Sequence, residues 1–242
     1  MHKRYGRHRA WVLAGVDLDL APGTITEVAG GNGSGKSTLI RIIAGLARPT
    51  RGRVHRRPAM VAYAPEGLPA RLRMTARAYA RHMAALRGLE PGPYEKLLER
   101  FDLSPSADVA IATLSKGNRQ KVALAQALAP PAGLVLLDEP SSGLDVAARA
   151  VLREVLEERR AAGATVLIAT HHPVDGLAPD QALELVGGML GTRAPATPRP
   201  MVRIELARGA GTRVVDVPRD ESDAVLADAL AEGWSVLSVH PR

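Results

Sequence analysis

The segment GGNGSGKST, Gly30 to Thr38, carries the first chemistry in this chain. Gly30 and Gly35 bracket a four-residue gap, and Lys36 and Ser37 follow at once. Glycines let successive backbone N–H groups turn inward around β- and γ-phosphates at a helix N-terminus. Lys36 supplies a mobile positive charge, Ser37 a hydroxyl for Mg²⁺, and Thr38 a donor for an α-phosphate. Gly31, Asn32, Gly33 and Ser34 complete the loop. A second set lies far downstream, where the apolar run LVLL delivers Asp138 and Glu139. A strand of that kind presents carboxylates at its C-terminal edge, where open α/β sheets bind ligands. There Asp138 is placed to hold Mg²⁺ through water and Glu139 to polarise an attacking water as general base. A third segment, Leu114-Ser115-Lys116-Gly117-Asn118, precedes a helical stretch. Its Ser115 hydroxyl, the Gly117 N–H and the helix start form a second phosphate site that has no nucleotide of its own. An ordinary N-cap at Ser115 explains that segment equally well.

These side chains need a frame. Thr24 to Ala29 reads as a strand running into the glycine loop, and Ser37 to Gly45 as the helix leaving it, with Leu39, Ile42 and Ile43 on one face. Strand, glycine loop and helix are the context a phosphate loop requires. Val12 to Leu20 alternates Val16, Leu18 and Leu20 and predicts an earlier strand. Met60 to Tyr63 predicts another. Continuous apolar runs at Leu134 to Leu137 and Thr165 to Ala169 predict strands buried on both faces. Helices are expected at Thr75 to Arg87, Tyr94 to Phe101, Arg119 to Ala129 and Ala147 to Ala161. Alternating strands and helices give an α/β fold with a largely parallel sheet. The expected division is a nucleotide-binding domain over 1–192 with a helical lobe at about 67–130, a proline-rich linker over 193–200, and a small ββαβ appendage over 201–242.

Composition narrows the class. The 242 residues are 46% hydrophobic but only 3% aromatic, so Leu, Val, Ile and Ala must fill the core. A net charge of +7 favours polyanionic partners such as nucleotides or an anionic membrane face. No run approaches the ~18 apolar residues of a membrane helix. The chain has no cysteine, which removes disulfide frameworks and thiolate metal sites. The basic N-terminal run HKRYGRHR lacks the apolar segment of a secretory signal.

Taken in order, the motifs resemble those of the nucleotide-binding subunit of an ATP-binding-cassette (ABC) transporter, over about residues 1–190. The correspondence comprises the phosphate loop at Gly30–Thr38, a signature at Leu114–Asn118, the carboxylate strand at Leu134–Glu139, the D-loop Ser142-Gly143-Leu144-Asp145, and a switch histidine at His171 rather than its neighbour His172. The resemblance implies a P-loop ABC cassette, an Mg²⁺-dependent ATPase and a head-to-tail dimer around two ATP. Ser115 and Gly117 of one subunit then contact the γ-phosphate held by Lys36 of the other. His171 bonds that phosphate, and Tyr5 stacks on adenine in preference to Trp11. The implied partners are a second nucleotide-binding subunit and a separate integral-membrane permease. That places the protein peripherally at the cytoplasmic membrane face, with no nucleic acid. A soluble ABC ATPase acting on nucleic acid or ribosomes is the alternative. A monomeric phosphate-loop kinase or GTPase is disfavoured by the signature and the D-loop, and by the absence of a guanine-reading NKxD motif. Three positions depart from the family: Glu66 stands where Gln is usual, at a position touching Mg²⁺ and the attacking water, and Lys116 and Asn118 alter the signature. A carboxylate at 66 suits Mg²⁺ but repels a γ-phosphate. These departures, and the C-terminal appendage, resemble the exporter branch.

Overall fold

A computed structural model describes residues 1–171, 173–193, 201–209, 211–219 (Pro218 by its backbone only) and 222–241. It divides into two compact units, the first ending at Arg193. The proline-rich stretch 194–200 and His172 lie outside the described residues.

In the first unit, β1 (Ile25–Ala29) leads into α1 (Lys36–Ala44), followed by β2 (Val61–Ala64). The helical lobe comes next, with α2 (Ala76–Leu86), α3 (Gly92–Arg100) and α4 (Lys116–Leu128). Then follow β3 (Leu134–Asp138), α5 (Val146–Ala161), β4 (Thr165–Thr170), β5 (Gln181–Val186) and β6 (Met189–Thr192). The sheet order is β2-β3-β4-β1-β5-β6. Every pairing is parallel except β5 with β6.

The continuous apolar runs have a direct cause, because both faces of the sheet are covered. Leu134, Leu136 and Leu167 pack on the α1 side with Leu39, Ile40 and Ile42. Their neighbours Val135, Leu137, Val166 and Ile168 point the other way, into a core shared with α4, α5 and the lobe residues Tyr94, Leu97 and Phe101. Glu27, at the centre of β1, is almost fully buried; Arg193 Nη1 donates to its Oε1 at 2.7 Å. A buried acid without such a partner would cost the fold several kcal/mol, roughly 3–5. Arg193, which composition assigns to the linker, is thus tied to the first unit.

Two elements differ from expectation. Residues 12–20 form no strand. Val16, Leu18 and Leu20 do face the α1-side core, but the backbone of this stretch bonds to scattered partners. Val12 N donates to Lys3 O, Ala14 N to Gly188 O and Val16 N to Met1 O, so no continuous ladder forms. The β5–β6 hairpin went unread in the sequence. Its turn is Gly187-Gly188, with φ of 56° and 80°, the doubly left-handed pattern of a two-residue hairpin.

The second unit contains β7 (Met201–Arg208), β8 (Gly211–Pro218), α6 (Ser222–Ala231) and β9 (Ser235–Pro241), an antiparallel sheet of order β8-β7-β9 with one helix. Val202, Ile204 and Leu206 alternate inward along β7 and pack with Val217 and Ala229. Among the described residues, no helix is long and apolar enough to cross a membrane.

Candidate functional site

The C-terminal ends of β1, β3 and β4 lie side by side in the sheet, and the loops leaving them build one site. Ala29 ends β1, and the glycine loop turns the chain into α1. Gly35 sits at φ +109°, where a Cβ would come within 2.8 Å of Val12 O and 2.9 Å of Leu13 Cδ2. Both the angle and the close approach demand glycine. Lys36 is buried against the loop, donating to Gly30 O at 2.6 Å and Gly31 O at 3.3 Å. Its Nζ also lies 3.3 Å from Glu139 Oε1.

Asp138 ends β3 with 2% of its surface exposed. Burial pushes its carboxyl above the usual range, and the hydrogen bond from Ser37 pulls it partly back down. That bond runs from Ser37 Oγ to Asp138 Oδ1 at 3.1 Å. Glu139 has left the strand at φ +49°, a left-handed conformation that costs a non-glycine residue energy and persists where the surroundings impose it. Here the surroundings are plain: its N–H donates to Ala169 O at 2.8 Å, and its Oε2 accepts from the His171 N–H at 3.1 Å. Among the described residues, Glu139 Oε1 has charge contacts with Lys36 and, at 3.4 Å, with His171 Nε2, and no aligned hydrogen bond reaches it. His171 Nε2 also lies 2.7 Å from Asn32 Oδ1.

These groups open onto a cavity of about 400 Å³. The glycine loop from Gly31 to Thr38 forms its floor, and Val12, Glu66, Glu139, Ser142 and His171 form its walls. Ser34 Oγ is buried and has no hydrogen-bond partner among the described residues. An orphaned hydroxyl in a cradle of backbone N–H groups, beside a buried lysine, suits a phosphate. Ser37 and Asp138 present the hard oxygen pair that Mg²⁺ prefers. Among the described residues no group of three or more His, Cys, Asp or Glu side chains could hold a metal, so an ion here would draw its other ligands from phosphate and water.

The sequence-expected residues therefore divide into groups. Gly31, Asn32, Gly33, Ser34, Gly35, Lys36, Ser37, Thr38, Glu66, Glu139 and His171 converge on the cavity, with Gly30 and Asp138 just behind it. Tyr5 lies at its edge. Its hydroxyl is 3.3 Å from Thr38 Oγ1, its ring is 4.8 Å from Lys3 Nζ, and the residue is 56% exposed. Trp11 is engaged elsewhere, with the guanidinium groups of Arg4 and Arg51 at 4.7 and 5.6 Å from its ring centroid.

Ser115, Gly117 and Asp145 are not in this cavity. Ser115 caps α4, accepting from Asn118 N at 3.1 Å. Asp145 caps α5, accepting from Ala148 N at 2.7 Å, and pairs with Lys121 Nζ at 2.7 Å. Gly117 lies so close to the D-loop that a Cβ there would stand 2.3 Å from Gly143 O. Sequence reasoning overlooked Val12 and Gln120 as site residues and named Ser142 only as the start of the D-loop. Gln120 Nε2 donates to the backbone oxygens of Glu139 and Pro140 at 3.3 and 3.2 Å, a contact across the fold that no local pattern marks.

Residues 13–142 match the family model described as "ABC transporter". The chain belongs to that family. It is an ATP-binding, ATP-hydrolysing subunit of the ABC type. It is 38% identical over 174 residues to a zinc import ATP-binding protein, ZnuC, of Cereibacter sphaeroides, covering 70% of each chain. It is 36% identical over 180 residues to a cytochrome c biogenesis ATP-binding export protein, CcmA, of Methylococcus capsulatus, covering 68% of this chain and 86% of that one. Among solved structures, an ATP-binding subunit of an ABC transporter superposes with TM-score 0.69 at 31% identity, over 79% of this chain and 87% of that one. The dimeric bacterial ABC cassette MJ0796 also gives 0.69, at 22% identity over 80% and 97%, a likeness of fold.

Proposed function

We propose that two copies of this subunit close head to tail around two Mg²⁺-ATP and thereby drive a separate membrane permease, in the export direction, from the cytoplasmic face. One observation carries the dimeric reading. Ser115 and Gly117, at the N-terminus of the 13-residue helix α4, stand outside the Lys36 cavity of their own protomer. A helix start of that length is a ready anion site, and in a head-to-tail pair it faces the neighbour's γ-phosphate. Lys36 and Ser34 would then hold the triphosphate, Ser37 and Asp138 the ion, Glu139 the attacking water, and His171 the γ-phosphate. An ion held there would supply positive charge against that developing on the phosphoryl oxygens. Tyr5, at the cavity edge, offers adenine a stacking face.

A second groove supports a permease. Leu46, Leu68, Tyr79 and Met83 line it, with Arg87 and Gln126 at one wall. Leu46 is exposed. The groove joins the sheet to the lobe beside the Pro65–Glu66 turn, so an apolar helix seated there would feel the state of the nucleotide cavity. Export rests on Glu66, Lys116 and the C-terminal unit; the names of the relatives divide between import and export.

The test is the ATPase rate per subunit across a dilution series, followed by purification from native membranes. The rate should rise several-fold with protein concentration, and a polytopic membrane protein should co-purify. A rate independent of concentration would remove the dimeric site, and recovery with RNA or DNA in place of a membrane protein would move the chain to the nucleic-acid class. The role of Asp138 has its own signature. Because burial raises its folded carboxyl pKa above the unfolded value, folding disfavours the ionised form; that cost is absent at low pH and present in full once pH exceeds the folded value. Asp138→Asn should therefore raise the melting temperature of nucleotide-free protein at neutral pH, measured by calorimetry. The same change should lower Mg²⁺-dependent hydrolysis by about a hundredfold or more, since metal stabilisation of transition-state charge contributes several kcal/mol.

A further inference from the structure

Two of the side chains that depart from the usual family pattern face each other: Lys116 Nζ lies 3.4 Å from Glu66 Oε1 within one protomer. We propose that Lys116 is a positioning residue for Glu66, holding and neutralising that carboxylate so that Mg²⁺-ATP can enter a cavity already rich in negative charge. This rests on the nucleotide-site reading above and adds a positioning contact to it.

Glu66 lines the cavity that contains Lys36, Ser37 and Glu139. Asp138 stands behind Ser37, close enough for the charge of Glu66 to help raise its carboxyl pKa. A triphosphate arriving there meets the carboxylates of Glu66, Asp138 and Glu139, while Lys36 is the lysine of the cavity wall. A carboxylate at position 66 therefore weakens nucleotide entry unless a cation offsets it.

Lys116 is placed to be that cation. It is the first residue of α4. Its stem runs beside Gly143, where a Cβ would stand 3.7 Å from Lys116 Cγ. Gly117 is pressed against the same loop, which limits how the start of α4 can shift. One helical turn further on, at i+4 on the same face, Gln120 Oε1 stands 3.6 Å from where a Cβ on Gly67 would be. The same side chain donates through Nε2 to the backbone oxygens of Glu139 and Pro140. One face of α4 thus touches the Glu66–Gly67 turn through Lys116 and Gln120, and the Glu139–Pro140 turn through Gln120. Both partners of the ion pair are more than half exposed, where such a pair contributes little to folding stability. Its consequence falls on the charge the nucleotide meets.

The test is a double-mutant cycle on the full chain, using uncharged near-isosteres: K116Q, E66Q and K116Q/E66Q, with K116R as the charge-preserving control. The readouts are KM and kcat for Mg²⁺-ATP and the ionic-strength dependence of KM. K116Q should raise KM about tenfold with kcat within about twofold, because it leaves Glu66 unneutralised. That defect should shrink in high salt, where exposed charges are screened. Adding E66Q should return KM to within about threefold of wild type, and K116R should stay near wild type. Independent, multiplying effects, or a K116Q defect that persists in the E66Q background, would overturn the proposal and assign Lys116 to the neighbour's phosphate instead. So would an unchanged KM in K116Q. In each of those outcomes wild-type hydrolysis stands, so the nucleotide-site reading survives; loss of wild-type Mg²⁺-ATPase activity would strike that reading alone. Unchanged melting temperatures exclude a folding defect as the source of any shift.

Discussion

Glu139→Gln should lower the steady-state ATPase rate by about 10²–10⁴-fold, the range lost with a general base, while leaving ATP binding intact. Binding survives because the groups that grip the triphosphate remain. Lys36 still has the Gly30 and Gly31 oxygens as anchors in the empty state, and the amide oxygen of glutamine can still accept from the His171 N–H in place of Oε2. The left-handed backbone at 139 treats the two side chains alike. Proton acceptance is removed, together with the negative charge facing Lys36, and losing that charge does not weaken the grip on a triphosphate. ATP-loaded pairs should therefore accumulate, seen in size-exclusion chromatography as a shift from the 25.6 kDa protomer to a species of twice that mass once Mg²⁺-ATP is added. Lys36→Ala should behave differently, losing nucleotide binding and the shift together. Wild-type turnover by E139Q would remove Glu139 as the base, and fast turnover without accumulation would also remove hydrolysis as the event that separates protomers.

Local chemistry was legible in the sequence wherever one segment carried both the motif and its frame. The glycine loop lies between a strand and a helix adjacent in the chain, so Lys36, Ser37 and Thr38 could be placed without tertiary information. Buried strands announced themselves because helices on both faces allow no polar interruption, as in Leu134–Asp138. Long-range pairing was less visible. Residues 12–20 have the alternation of a strand, yet their backbone bonds go to Lys3, Met1 and Gly188, and alternation reports burial without reporting hydrogen-bond partners. The β5–β6 hairpin carried a Gly-Gly turn signal at Gly187-Gly188 that went unread. Arg193 illustrates the same limit, because composition put it in a linker and only the fold shows it donating to Glu27. In the site, Gln120 escaped notice since its partners are the backbone oxygens of Glu139 and Pro140. The Lys116–Glu66 pair was visible only as two separate oddities. Fifty positions apart in the chain, they become one feature when α4 lies along the Glu66 turn.

The decisive consequence of a shared site is complementation between two inactive proteins. In a head-to-tail pair each nucleotide sits between Lys36 of one protomer and Ser115 of the other, the reciprocal geometry of a two-fold dimer. Lys36→Ala empties the cavity of the protomer that carries it. Ser115→Arg obstructs the neighbour's cavity and removes the α4 cap, a loss of about 1 kcal/mol that leaves a 242-residue chain folded. Each variant alone should fall below about 1% of wild-type activity, because both of its composite sites are broken. In a mixed pair, one site combines both defects and the other combines an intact Lys36 with an intact Ser115. Random exchange makes half of the pairs mixed, so an equimolar mixture should recover about a quarter of the wild-type sites. Placing both substitutions in the same chain and pairing it with wild type supplies the control, read on mixed pairs isolated through two different affinity tags. Those pairs carry one defect in each site and recover nothing, whereas isolated K36A–S115R pairs should keep one site in two. If the two single variants stay inactive together, then Ser115 acts on its own protomer's nucleotide or on none, and the second phosphate site at α4 reduces to the helix cap that Ser115 already forms with Asn118.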